Sequence, residues 1–260
     1  MTSTPVPAPN EAPRRADLEQ RLEAVRERIA VATRAAGRER APELVVVTKF
    51  FPASDVRLLH ELGVREVGEN RDQEASVKAM EVQDLDLNWH FIGQLQSNKA
   101  KSIVRYAAAL HSLDRASLAK ALGKAMGREA ERRADEGVAA REDLSTLIQI
   151  DLRSAEQRSG DQGGIGRGGA EPEDVQQLAD LVAQTEGLSL AGVMAVAPLG
   201  DDPSPAFERL AGISAALRGN HPTADWISAG MSHDLEQAVA AGATHLRVGS
   251  DVLGPRPPVL

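Results

Sequence analysis

Leu44-Val45-Val46-Val47-Thr48-Lys49 is the stretch on which the fold of this chain turns. An unbroken β-branched run of this length reads as a strand buried on both faces, the kind found in parallel sheets flanked by helices. Lys49 closes the run and is one of six lysines in the chain. The residue after such a strand lies at the C-terminal edge of the sheet, where α/β proteins place their chemistry. Partial desolvation there lowers an amine's pKa and readies it to attack a carbonyl. Lys49 is therefore a candidate Schiff-base former, and the competing reading is an ordinary surface lysine.

Outward from this run, short apolar segments alternate with helical ones. Strands are expected at 44–49, 64–67, 88–92, 109–112, 145–150, 188–193, 225–228 and 244–248. Helical patterns fall near 54–62, 70–82, 98–106, 115–134, 173–185, 204–218 and 232–241. Eight βα units in 260 residues predict an α/β fold, a single-domain TIM (β/α)8-type barrel, over a doubly wound open sheet. Before the first strand, Leu18, Leu22, Val25, Ile29 and Val31 recur at helical spacing, so an extra N-terminal amphipathic helix is expected over 14–37. The Pro- and Ala-rich residues 1–13 read as a disordered tail ahead of one domain over 14–260. The loop 151–172, Gly-rich around 160–169, is read as a mobile segment at the barrel mouth. It lacks the spacing of a dinucleotide fingerprint and the ending of a P-loop.

Composition removes several functional classes. A net charge of −8 argues against a nucleic-acid partner. The absence of cysteine excludes disulfides, thiolate metal sites and cysteine nucleophiles. The histidines lack HExxH-type spacing, so no metal site is expected. No apolar stretch reaches membrane-spanning length and no leader is visible, which gives the expectation of a cytoplasmic protein without membrane contact.

TIM barrels often hold phosphate on the loops after strands seven and eight. Here Trp226-Ile227-Ser228 runs into Ala229-Gly230-Met231-Ser232-His233-Asp234, with Ser232 placed to cap the next helix or to hold an anion. His245-Leu246-Arg247-Val248 runs into Gly249-Ser250, a second pair of small donors. Each turn alone is an ordinary cap or Gly turn; the pair makes a phosphate cup a live reading. Arg247 inside a barrel strand is costly unless paired or bound to a ligand. An amine, a phosphate cup and an arginine suit pyridoxal 5′-phosphate.

The segments VVVTK (45–49), GVREVGENRDQEA (63–75), WHFIGQLQSNKAK (89–101), HSLD (111–114), GVMAVAP (192–198), SAGMSHDLEQAVAAGATHLRVGS (228–250) and LGPR (253–256) carry a resemblance. The chain resembles the pyridoxal-phosphate homeostasis family, which is similar to the N-terminal barrel of alanine racemase. It departs from the family pattern at Ala229, Leu253 and Ser250, where Met, Phe and Thr are usual. The resemblance implies that Lys49 carries pyridoxal phosphate as a Schiff base. Ser232, Gly249 and Ser250 would hold its phosphate with backbone help from Gly230 and Met231, and Arg247 would face the ring nitrogen. Asn70 would lie beside the ring, with His90 and Asn98 near the same mouth making polar contacts rather than catalysing. Lys99 and Lys101 are expected to face solvent, and the closely spaced His111, Ser112 and Asp114 are not expected to form a triad.

Alanine racemase uses a second acid/base group, a tyrosine from a further domain of its partner subunit. This chain ends at Leu260 after the last barrel element, and its one tyrosine, Tyr106, lies on a segment away from the strand ends. The expectation is therefore a monomeric, non-catalytic carrier that buffers pyridoxal phosphate and delivers it transiently to apoenzymes. An amino-acid racemase is the first alternative, and a cofactor-free lysine aldolase the second.

Overall fold

The computed structural model describes residues 11–153, 168–198, 200 and 202–256. Eight parallel strands close into a barrel in chain order: β1 (Glu43–Val47), β2 (Glu66–Glu69), β3 (Asn88–Phe91), β4 (Ala107–Leu113), β5 (Leu144–Gln149), β6 (Leu188–Met194), β7 (Trp226–Ser228) and β8 (His245–Val248). The seam is the pairing of β1 with β8, in which Val45 sits opposite Arg247 and Val46 opposite Val248. Helices cross over between successive strands. The Gly-rich segment expected at the mouth falls almost wholly outside the described residues.

The N-terminal helix, Glu11–Ala35, begins three residues inside the stretch read as a tail. Its Leu18, Leu22, Val25, Ile29 and Ala32 form one buried stripe at spacings of three and four. Val31, counted above with the apolar positions, is 49% exposed, and Ala32 takes the inward place. This helix packs on Leu235–Ala240 and Ser250–Leu253, the helices that follow β7 and β8.

Side chains alternate between two environments, as they must along a strand. Val46, Val67, Phe91, Leu110, Ile148, Val193, Leu246 and Val248 join the main apolar layer. The alternate set points into the lumen, where TIM barrels ordinarily stack bulky branched residues. Here the lumen is unusually polar: His90, His111, Ser228, His245 and Arg247 are all buried. Leu147, Ala191 and Met194 form a small separate apolar cluster with Trp226 against it. Such a lumen is stable only if each polar group finds a partner.

Candidate functional site

Lys49 lies two residues past the end of β1, and the peptide groups on either side of it are pinned. Thr48 donates its N–H to Gly68 O at 2.9 Å, which carries sheet pairing past β1. Lys78 Nζ donates to Thr48 O at 2.9 Å. Phe50 donates its N–H to Glu74 Oε1 at 2.5 Å. Lys78 also meets Glu69 Oε1, at 2.5 Å, and Glu74 Oε1, at 3.1 Å, while the Thr48 hydroxyl donates to Glu69 Oε1 at 2.7 Å. Burial pushes the Glu69 carboxyl up, against the opposing pull of Lys78 and Thr48. The helix Asp72–Glu81 thus holds the Lys49 backbone through a buried ionic network.

Phe50 has φ of +72°, the one non-glycine among the described residues with positive φ. A bulky residue there is strained and persists because its surroundings fix it. Its ring is faced by Arg256 at 3.7 Å, Arg71 at 5.3 Å and Lys49 Nζ at 5.8 Å from the centroid. These cations make the mouth beside Lys49 attractive to an anion.

The loops after β7 and β8 converge on the same end. Ser232 Oγ and Ser250 Oγ stand 3.2 Å apart. Gly230 has φ of +91°, and a Cβ there would fall 2.6 Å from the Ala238 Cβ and 2.7 Å from Leu246. A Cβ on Gly249 would meet Val47 O at 3.1 Å, which places that turn against the end of β1. Arg28, from the N-terminal helix, clamps both loops: it donates to Ser232 O at 3.0 Å and to Asp251 Oδ2 at 2.7 Å. Nothing in its sequence surroundings marks Arg28 for this role, since it sits among the many charges of a solvated helix.

Arg247 projects from β8 into the lumen and is fully desolvated. Burial lowers its guanidinium to about 10, with Asp234 pulling the other way. It donates to Ser228 Oγ at 2.6 Å and to Ala195 O at 2.9 Å. Two of five N–H donors are taken by these bonds, so the fork retains capacity for another acceptor. Asn70, directly after β2, has a buried Oδ1 with no hydrogen-bond partner, an orphan that calls for a ligand atom.

Several expectations need correction. His90 is not at the mouth. It lies deep in the lumen, 2% exposed, with its ring nitrogens committed to His111 and Glu66. It lines a cavity at the opposite, N-terminal end of the strands. The inward parity of β3 put it in the lumen, but depth along the strand was not readable from alternation. Met231 gives its N–H to Asp234 Oδ1 at 2.6 Å, so this donor is engaged within its own turn. The following helix starts at Leu235 with Asp234 at its N-cap, leaving Ser232 free of a capping role. Lys99 does not simply face solvent, because its Nζ lies 3.6 Å from buried Asp72. Asn98 is exposed on the short turn Ser97–Lys99. His111 and Ser112, not expected to work with Asp114 as a triad, stand apart: His111 sits in the lumen bonded to His90 and Ser228, and Ser112 Oγ is buried without a partner. Tyr106 precedes β4 and lines the same N-terminal cavity as His90; burial raises its phenol.

An amine on a held backbone, two facing hydroxyls over glycines with no room for side chains, and a desolvated guanidinium fit an aldehyde-bearing phosphate ester with a ring nitrogen. Among the described residues there is no group of acidic or histidine side chains arranged for a metal ion.

Residues 20–257 match the family described as alanine racemase, N-terminal domain. A pyridoxal phosphate homeostasis protein of Mycobacterium tuberculosis is 40% identical over 255 residues, covering 94% of both chains. One of Escherichia coli is 33% identical, covering 92% of this chain and 97% of that protein. Among solved structures, PipY of Synechococcus elongatus with pyridoxal phosphate bound is 30% identical with a TM-score of 0.73, covering 91% of this chain and all of that one. Alanine racemase of Corynebacterium glutamicum shares the fold at 13% identity and a TM-score of 0.63, covering 94% of this chain and 62% of that one.

Proposed function

Because this chain belongs to the pyridoxal phosphate homeostasis proteins, within the alanine racemase N-terminal domain family, we propose that it binds pyridoxal 5′-phosphate in order to store and deliver it. The observation that carries this reading is the convergence, at one end of the barrel, of Lys49, the Ser232–Ser250 pair and Arg247. Bound, the cofactor supplies a reactive aldehyde. Lys49 would hold it through its amine as a Schiff base, water being lost, which would keep a free, reactive aldehyde out of solution. Ser232 and Ser250 would hold the phosphate through their hydroxyls, Gly230 and Gly249 would let the backbone approach it, and Arg28 keeps the two loops in register. Arg247 would donate to the ring nitrogen and disfavour its protonation, which would weaken the ring as an electron sink. Asn70 supplies its unpaired Oδ1 beside the ring.

A carrier role, rather than turnover, is supported by the place of the chain's one tyrosine, Tyr106. Racemisation needs a proton donor and acceptor on opposite faces, and the chain's sole tyrosine lies at the other end of the barrel. The monomeric state and transient contact with apoenzymes belong to the same proposal. Among the described residues no helix is long and apolar enough to cross a membrane.

Borohydride reduction of the loaded protein followed by peptide mass mapping tests the site. A pyridoxyl adduct is expected on Lys49 and is expected to vanish in Lys49→Ala. An adduct on another lysine would sink the assignment. Incubation with L- and D-alanine tests the role, since turnover above that of free cofactor would favour a racemase.

A further inference from the structure

The lumen contains a second arrangement that cofactor binding alone does not account for. Glu66 Oε2 stands 2.5 Å from His90 Nε2, and His90 Nδ1 stands 2.8 Å from His111 Nε2. His111 Nδ1 is 2.9 Å from Ser228 Oγ, which accepts from Arg247 at 2.6 Å. Five strands, β2, β3, β4, β7 and β8, each contribute one member. The chain crosses the lumen between the two ends of the barrel. Its Arg247 end lies toward the site of Lys49; its Glu66 end lines the cavity at the N-terminal end of the strands.

Donor and acceptor arithmetic fixes the protons. Arginine only donates, so Ser228 accepts from it on one lone pair; with a neutral His90 giving its one N–H to the Glu66 carboxylate, the Ser228 O–H falls to His111 Nδ1. A neutral His111 then carries hydrogen on Nε2 and donates to His90 Nδ1. His90 in turn donates Nε2–H to the Glu66 carboxylate. Each atom has one role, and every bond runs the same way, from guanidinium to carboxylate. The neutral state of His111 fits its surroundings: burial, then His90, Arg247 and His245, hold its pKa far below the ordinary imidazole value. Burial acts to raise Glu66, but hydrogen bonds from His90 and Asn88 outweigh it and favour the carboxylate.

A merely satisfied polar core needs no charged group at each end. We propose that Glu66, His90, His111 and Ser228 are positioning residues for Arg247, a one-directional hydrogen-bond chain that aims its guanidinium at the cofactor's ring nitrogen and couples its donor strength to the charge on Glu66 at the far end of the barrel. The inference rests on the reading that pyridoxal phosphate binds beside Lys49 with its ring nitrogen at Arg247. A proton added at His90 Nδ1 would set two donors against each other. His111 would have to move its hydrogen to Nδ1 and Ser228 to turn its hydroxyl away, which reverses the chain. The groups that face His90 are Glu66 from β2, His111 from β4, the Trp226 ring from β7 and His245 from β8. Charged Glu43, Arg105, Arg133, Arg141, Glu142 and Asp143 line the same cavity.

Two measurements test this. In the cofactor-free protein, long-range 15N–1H NMR of the imidazoles is expected to show both His90 and His111 as Nε2–H tautomers; an Nδ1–H form of either overturns the direction assigned. In the loaded protein, the absorption of bound pyridoxal phosphate is titrated with pH in wild type, Glu66→Gln, His111→Gln and the double variant. Glu66→Gln keeps an acceptor but removes the charge, and is expected to move the midpoint by about half a pH unit or more. In the His111→Gln background the same change is expected to have no further effect, because the chain is already cut. Normal uptake with unmoved midpoints overturns the coupling and leaves the cofactor site standing, whereas no uptake by wild type overturns both. Should His111→Gln fail to fold, Glu66→Gln and the tautomers decide.

Discussion

Lys78 shows how much a single buried charge can govern in this protein. It is 5% exposed and bonds at once to the backbone before Lys49 and to Glu69, itself buried. Replacing Lys78 by Met leaves Glu69 without its cation, a change that costs about 3–5 kcal/mol where a buried pair is broken. Urea unfolding is expected to show that loss, with Glu69→Leu in the same chain recovering most of it. Gly93 is as exacting for a different reason. A Cβ at this position would lie 2.2 Å from Asn70 O, so Gly93→Ala must displace Asn70, the residue proposed to lie beside the cofactor ring. Weaker pyridoxal phosphate binding, measured by fluorescence titration, is expected from that substitution.

Arg28 belongs to the scale of elements, because it ties the N-terminal helix to two loops at once. Arg28→Ala removes the hydrogen bond to Ser232 O and the ion pairs with Asp251 and Glu236 while leaving the buried stripe of the helix intact. Pyridoxal phosphate affinity is expected to drop roughly fivefold, the equivalent of about 1 kcal/mol. The thermal midpoint should move little. The elements themselves were largely legible in the chain, since apolar runs and helical stripes declared all eight strands and the crossovers. β2 is instructive: expected at 64–67, it runs Glu66–Glu69. Its last residue is a buried carboxylate, and no hydrophobic pattern can announce a charge whose partners, Thr48 and Lys78, come from other elements. The same limit hid the lumen chain. Glu66, His90 and His111 follow the correct inward parity, but partnership across five strands exists only after closure. The proposed cofactor end could be read as a candidate from the chain because its glycines, serines and lysine are local to two turns and one strand end.

At the scale of the whole molecule, the polar lumen makes stability depend on acidity. Burial holds His245 near 4, below its ordinary 6.5, with His90 and Arg247 adding to the effect and Glu66 opposing it. A histidine depressed in the folded state is protonated first in the unfolded chain. Stability is therefore full above about pH 6.5 and falls as the pH drops toward 4, by up to about 3 kcal/mol from this group alone. His111 acts in the same direction. Urea midpoints measured from pH 7 to pH 4.5 are expected to decline steadily, and His245→Gln should flatten the curve.

Closure of the β1–β8 seam also sets a timetable. Val45 and Arg247 are neighbours in space but far apart in the chain, so Lys49 leaves the ribosome long before the turns proposed to hold phosphate exist. At ordinary rates of synthesis that interval is on the order of ten seconds or more. On the proposed site, a nascent or truncated chain has the amine without the cup and is expected to hold the cofactor only weakly. Tight binding is then expected of the finished barrel alone, so the grip on the cofactor would report that translation and folding are both complete.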